Sequence, residues 1–170
     1  MNIKSNIARW VEVIGGKLDE LLAKKPTEEG FRLAVHPLMA AFCEEIGSRA
    51  EVSGEYTLAI GQANSVFNRV VIEYRRPGYL NLNFDKATDS AIERLLGYLH
   101  RLVEDEKSEI RRVAGVVFDG RCIIFAQCLD GDWREDFITA VNRDTLERLL
   151  VQLSGTAPGN PAFRGAARTP

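Results

Sequence analysis

The chain of 170 residues carries 22 Lys+Arg against 24 Asp+Glu, and 45% of it is hydrophobic, which suits one domain with a sizeable core. Its last stretch, 154–170, holds three of the six prolines and three glycines with no aliphatic residue larger than Ala, and reads as a flexible tail or interdomain linker. That tail adds two arginines and no acid to a total of −2, so residues 1–153 carry −4, which excludes a generally basic nucleic-acid coat but not a local basic groove.

No apolar run approaches the ~20 residues that span a bilayer, so no membrane partner is expected. The N-terminal sequence lacks the apolar block and cleavage site of a signal peptide. The cysteines, Cys43, Cys122 and Cys128, are odd in number and form no CxxC pair, which points to reduced thiols in a cytoplasmic protein and against a zinc site. His36 and His100 are the only histidines, which excludes a His-rich metal centre and argues against a Ser-His-Asp triad.

Ile7, Trp10, Val11, Ile14, Leu18, Leu21 and Leu22 recur at helical spacing and predict a first helix over 6–23, weakened by Gly15-Gly16 and ended by Lys24-Lys25-Pro26. Thr27 is a natural N-cap for a second helix, with Phe31, Val35, Leu38, Met39, Phe42 and Ile46 on one face and a stop at Gly47. Pro37 inside it predicts a kink or break near His36. Strands are expected at 55–60, 65–67 and 69–75, with Asn68 turning the last two and Arg76-Pro77-Gly78 stopping the third.

An amphipathic helix follows over 88–106, with Ile92, Leu95, Leu96, Leu99, Leu102 and Val103 inward. Strands at 112–118 and 122–129 meet at an Asp119-Gly120 turn, and Asp130-Gly131 leads into a strand over 133–140. A last helix spans 144–153, with Asp144 and Glu147 at capping-box spacing. This order predicts an α+β, α/β/α-like domain over 1–153, helical over 1–47 with a sheet-containing core over 48–153. A mixed central sheet, with a β-meander carrying the site, is expected to be flanked by helices.

Residues 61–78 carry the chemistry. Along a strand over 69–75 side chains alternate: Val70, Ile72 and Tyr74 face one way, and Arg69, Val71, Glu73 and Arg75 the other. Glu73 and Arg75 are therefore neighbours, ~6.5 Å apart along the strand. An acid beside a cation after an apolar run suits a divalent metal and a phosphate. The plainer reading is a surface ion pair, with Asn64 a turn residue and Arg76 solvated. Gln127 reads as a core amide, and Tyr74 and Trp133 as packing residues. Arg111, Arg112 and Arg121 are either strand-end charges or phosphate contacts.

The strings Gly61-Gln62-Ala63-Asn64 and Val70-Val71-Ile72-Glu73-Tyr74-Arg75-Arg76-Pro77-Gly78 resemble the core of the PD-(D/E)XK, restriction-endonuclease-like superfamily, which reads roughly Gly-Arg-x-Asp, then Val-Val-x-Glu-Tyr-Lys-x-Pro-Gly. The resemblance is to nuclease domains at the N-termini of restriction-modification and DNA-methylase proteins. It extends over about residues 27–130, with Glu28-Glu29-Gly30-Phe31-Arg32 like the family's helical acid before an aromatic and an arginine.

The resemblance implies a restriction-endonuclease-like fold and a Mg²⁺-dependent deoxyribonuclease. Glu73 and Asn64 would hold the metal, Glu73, Arg75 and Glu29 would be catalytic, and Gln62, Arg69 and Arg76 would contact nucleic acid. The departures imply a degenerate site. Asn64 replaces the metal-binding Asp, Arg75 the catalytic Lys and Gln62 the usual Arg, so weak Mg²⁺ binding is expected. Arg75 can grip a phosphate but cannot share a proton with water, because a guanidinium group keeps its proton in proteins. Glu55 or Glu29 would have to supply the missing carboxylate.

The expected function is a DNA-engaging module of a restriction-modification or defence-type protein with reduced or lost cleavage. The alternatives are a non-catalytic protein- or DNA-binding domain that keeps only the fold, and a small α+β interaction domain with an accidental likeness. Further domains of a longer polypeptide and a homodimer are compatible with either.

Overall fold

Two five-residue runs, Val70–Tyr74 (β2) and Ala114–Phe118 (β3), are buried at every position. Strands buried on both faces belong in the middle of a sheet covered on both sides, where parallel pairing is the rule. The computed structural model describes residues 3–47, 64–67, 70–83, 85–106, 113–129 and 132–155. In it β2 and β3 are neighbours and run parallel, with Glu73 opposite Val117. A parallel pair needs a crossover, and helix α3 (Lys86–Glu106) provides it.

The other strands pair antiparallel around this centre. They are β1 (Asn64–Phe67), β4 (Cys122–Leu129), β5 (Asp132–Glu135) and β6 (Thr139–Ala140). The order is β1-β2-β3-β4-β5, with β6 pairing the other end of β4. Helices α1 (Ile3–Lys24), α2 (Glu28–Glu45) and α4 (Arg143–Ser154) complete the described elements, so a mixed sheet of six strands is flanked by four helices.

The period of two along β2 divides the core. Val70, Ile72 and Tyr74 pack with Phe118, Ile123 and Phe125 beneath α1, α2 and α4. Val71 faces the other way and packs with Val117, Ile124, Leu95, Leu99 and Leu102 beneath α3. Gly115 sits where α3 approaches closest: a Cβ there would meet Leu99 Cδ1 at 2.8 Å and Leu95 Cδ1 at 2.9 Å.

Several expectations change. Of the kink or break expected at Pro37, the break does not occur: α2 is continuous through it. The carbonyl it leaves without a donor belongs to Leu33, an exposed residue where water can replace the missing N–H. Gly15-Gly16 does not interrupt α1, because buried Trp10, Val11, Ile14 and Leu18 anchor the helix on both sides of it. The capping box of α4 is Asn142 with Thr145, not Asp144 with Glu147: the Asn142 side chain accepts from Thr145 N and Thr145 Oγ1 accepts from Asn142 N. The strand expected over 133–140 is two short ones, β5 and β6, bonded to opposite ends of β4.

The β3–β4 hairpin turns on Gly120-Arg121 rather than Asp119-Gly120. Gly120 has φ +82° and Arg121 is not among the positive-φ residues, the pattern of a type II′ turn. The strand expected at 55–60, the Asn68 turn and residues 156–170 lie outside the described residues. No helix among the described residues is long and apolar enough to cross a membrane.

Candidate functional site at the end of strand β2

Strand alternation puts Glu73 on the α3 side of the sheet with Val71, and Arg75, just past the end of β2, reaches the first turn of α2. Its side chain is 0% exposed. Arg75 Nη2 stands 2.8 Å from Glu73 Oε1, and Arg94 Nε, from α3, stands 3.4 Å from the same oxygen. On the far side of Arg75, Nη1 lies 3.7 Å from Glu28 Oε2, the first residue of α2. Arg76 N also donates to Glu28 Oε2, at 3.3 Å. Two carboxylates and two guanidinium groups thus alternate from α2 across β2 to α3.

Aromatic rings back both arginines. The Arg75 guanidinium lies over the Tyr79 ring at 5.0 Å, and Arg94 lies over Tyr98 at 5.8 Å while its Nε donates to Tyr98 Oη at 2.8 Å. That bond uses the one Nε–H of Arg94, so its approach to Glu73 is a charge contact. Neither Glu73 oxygen has a partner in hydrogen-bond geometry, and neither does Arg75 Nε. The carboxylate is therefore held by charge more than by directed bonds. Burial pushes its pKa up to about 7, Arg75 and then Arg94 pull it down, and Glu28 pushes it up. A carboxyl group in this state is part protonated near neutral pH.

Of the residues singled out in the sequence, Glu73 and Arg75 meet here, and the surface ion-pair reading gives way to a buried cluster. Position 64 on β1 is the direct register partner of Glu73. Glu29 does not join: its side chain is 66% exposed and pairs with Arg32 at 3.9 Å on its own helix. The helical acid that reaches the site is Glu28, one residue or about 100° earlier around α2. Arg76 is exposed and touches the cluster through its backbone N–H. Gln62 and Arg69 lie outside the described residues, as do Arg111 and Arg112.

Gln127 is buried opposite Ala114, three positions along β3 from Val117 and so ~10 Å from the row of Glu73. Tyr74 packs against Phe31, and Trp133 against the α3-side core. Sequence reasoning missed Glu28, Arg94, Tyr79 and Asp119. Glu28 carried a usable signal, since it precedes Phe31 by three residues and Val35 by seven and shares the phase of the buried stripe.

The charges decide which ion the site suits. Among the described residues no three His, Cys, Asp or Glu side chains gather in one place. Mg²⁺ takes an octahedral shell of oxygens. Around Glu73 the close neighbours are two guanidinium groups, and Glu28 faces Arg75. A dication would stand beside two positive charges, so the described side chains around Glu73 do not fit a resident Mg²⁺. They fit an anion presented to Arg94, which is 43% exposed at its side chain. No family model, curated protein or solved structure matches the chain.

Proposed function

We propose that this chain is a restriction-endonuclease-like module that engages DNA and has lost Mg²⁺-dependent cleavage. The observation that carries the reading is the 2.8 Å contact between Arg75 and the buried carboxylate of Glu73, with Arg94 on the same oxygen. Hydrolysis in such a fold requires carboxylates that gather a metal and a group that exchanges a proton with the attacking water. Here the cations are arginines, which keep their protons, and the carboxyl group is too weak an acid to be fully ionised at neutral pH. The order of elements gives further support: a site-bearing hairpin, a long crossover helix and a second hairpin, as the resemblance implies.

Phosphates would be met by the exposed cations Arg94 and Arg76, with Arg75 held behind them by Glu73 and Glu28. The net charge of −2 makes this local patch decisive for DNA affinity. The test is the affinity for a labelled duplex across a salt series, beside a plasmid-cleavage assay with Mg²⁺ or Mn²⁺. Salt-dependent binding is expected, with no cleavage, and Arg76→Ala and Arg94→Ala should each reduce the salt slope by about one unit. Absence of salt-dependent binding would overturn DNA engagement. Cleavage that disappears in Glu73→Ala would overturn the loss of activity.

A further inference from the structure

Strand β2 ends in a turn over residues 76–79. Tyr79 N donates to Arg76 O at 3.0 Å, Pro77 stands at the second position and Gly78 takes φ +81°, the requirements of a type II turn. The anchor of this turn comes from another part of the sheet. Asp119, at the end of β3, is fully buried, and its Oδ2 accepts from Gly78 N at 3.1 Å and Leu80 N at 2.9 Å. Its Oδ1 accepts from Arg121 N at 2.8 Å and Cys122 N at 2.7 Å within the β3–β4 turn. A residue that only capped the hairpin would need Oδ1 alone. The Oδ2 bonds reach 41 and 39 residues back along the chain.

Tyr79 lies between the two clamped amides, and its ring is the surface over which the Arg75 guanidinium stands. Arg75 is itself tied to the same corner, since its N–H donates to Phe118 O at 2.9 Å, one residue before Asp119. We propose that Asp119 is a positioning residue for Arg75: by clamping the backbone of residues 78–80 it sets the Tyr79 ring as the wall that holds the guanidinium between Glu73 and Glu28. The importance of that placement for DNA rests on the function proposed above, but the placement itself can be read without DNA.

The test is hydrogen exchange by NMR on the DNA-free chain. Arg75 Nε is buried, so its Hε should be protected in the wild type and should open together with the amides of Gly78 and Leu80. Asp119→Asn replaces one accepting oxygen by an amide group that cannot accept. It should speed exchange at Gly78, Leu80 and Arg75 Hε by about tenfold or more, while Val116 in β3 stays protected. Uniform loss of protection through the sheet, or an unchanged Arg75 Hε beside freed Gly78 and Leu80, would overturn the proposal. Should the variant not fold, the wild-type rates decide: Arg75 Hε exchanging independently of Gly78 and Leu80 overturns it, and shared opening supports it. Loss of DNA binding as a reading would leave these rates unchanged, so the two ideas fail separately.

Discussion

Two carboxylates, Glu73 and Asp119, are both fully buried at the same end of the central strand pair, yet they are held in opposite ways. Asp119 is surrounded by four backbone N–H donors at 2.7–3.1 Å, supplied by two segments of chain. Glu73 meets two guanidinium groups and no donor in hydrogen-bond geometry. Backbone donors are fixed by the fold and cannot be withdrawn without opening it. Side-chain cations can be, because each arginine has an alternative partner: Glu28 for Arg75 and Tyr98 for Arg94. The comparison separates an architectural charge from one free to exchange partners, and the second is where a ligand can act.

The largest effect should come from breaking the architectural member. Asp119→Ala leaves buried N–H groups without acceptors and should cost at least about 3 kcal/mol in chemical unfolding. A cost under about 1 kcal/mol would mean that water replaces the carboxylate and that the contrast is false.

Glu73 should show itself through pH. Its folded pKa of about 7 lies above the ordinary 4.5, so the folded state binds the proton more tightly. That contribution is fully present below about 4.5 and is lost as pH rises through about 7, a decline of up to about 3 kcal/mol for this one group. In Glu73→Gln the segment of the stability profile between these values should flatten. An unchanged slope would assign it to other groups.

Gly115→Ala should be milder, costing about 1–3 kcal/mol, because its Cβ would press on Leu95 and Leu99 of α3. Since α3 carries Arg94, the same change should disturb Glu73 more than Asp119, which α3 does not touch through any of its four hydrogen bonds. Equal disturbance of both would remove the distinction. Arg94→Ala should have the smallest effect on stability, since that side chain is 43% exposed, but it should raise the Glu73 midpoint further. A lowered midpoint would contradict the role given to Arg94.

The contrast was partly legible in the sequence. The alternation of Val70, Val71, Ile72, Glu73 and Tyr74 and the Pro77-Gly78 stop fixed which way Glu73 and Arg75 face, because a strand has a period of two. Thr27 and the apolar stripe place the second helix, but the stripe's own phase favours Glu28, not Glu29, as the acid that reaches the site. Arg94 and the Oδ2 bonds of Asp119 depend on contacts across 21 residues and about twice that distance, which no local pattern encodes. Pro37 does not break the helix, because the bond it removes lies where water can replace it.

The central claim is that arginines, and not a metal, balance the Glu73 carboxylate. The most direct measurement is the titration of the Glu73 carboxyl carbon by NMR, with and without millimolar Mg²⁺. A midpoint of about 7 that Mg²⁺ leaves unmoved is the predicted result. A midpoint at the ordinary 4.5, or one that falls when Mg²⁺ is added, would contradict it.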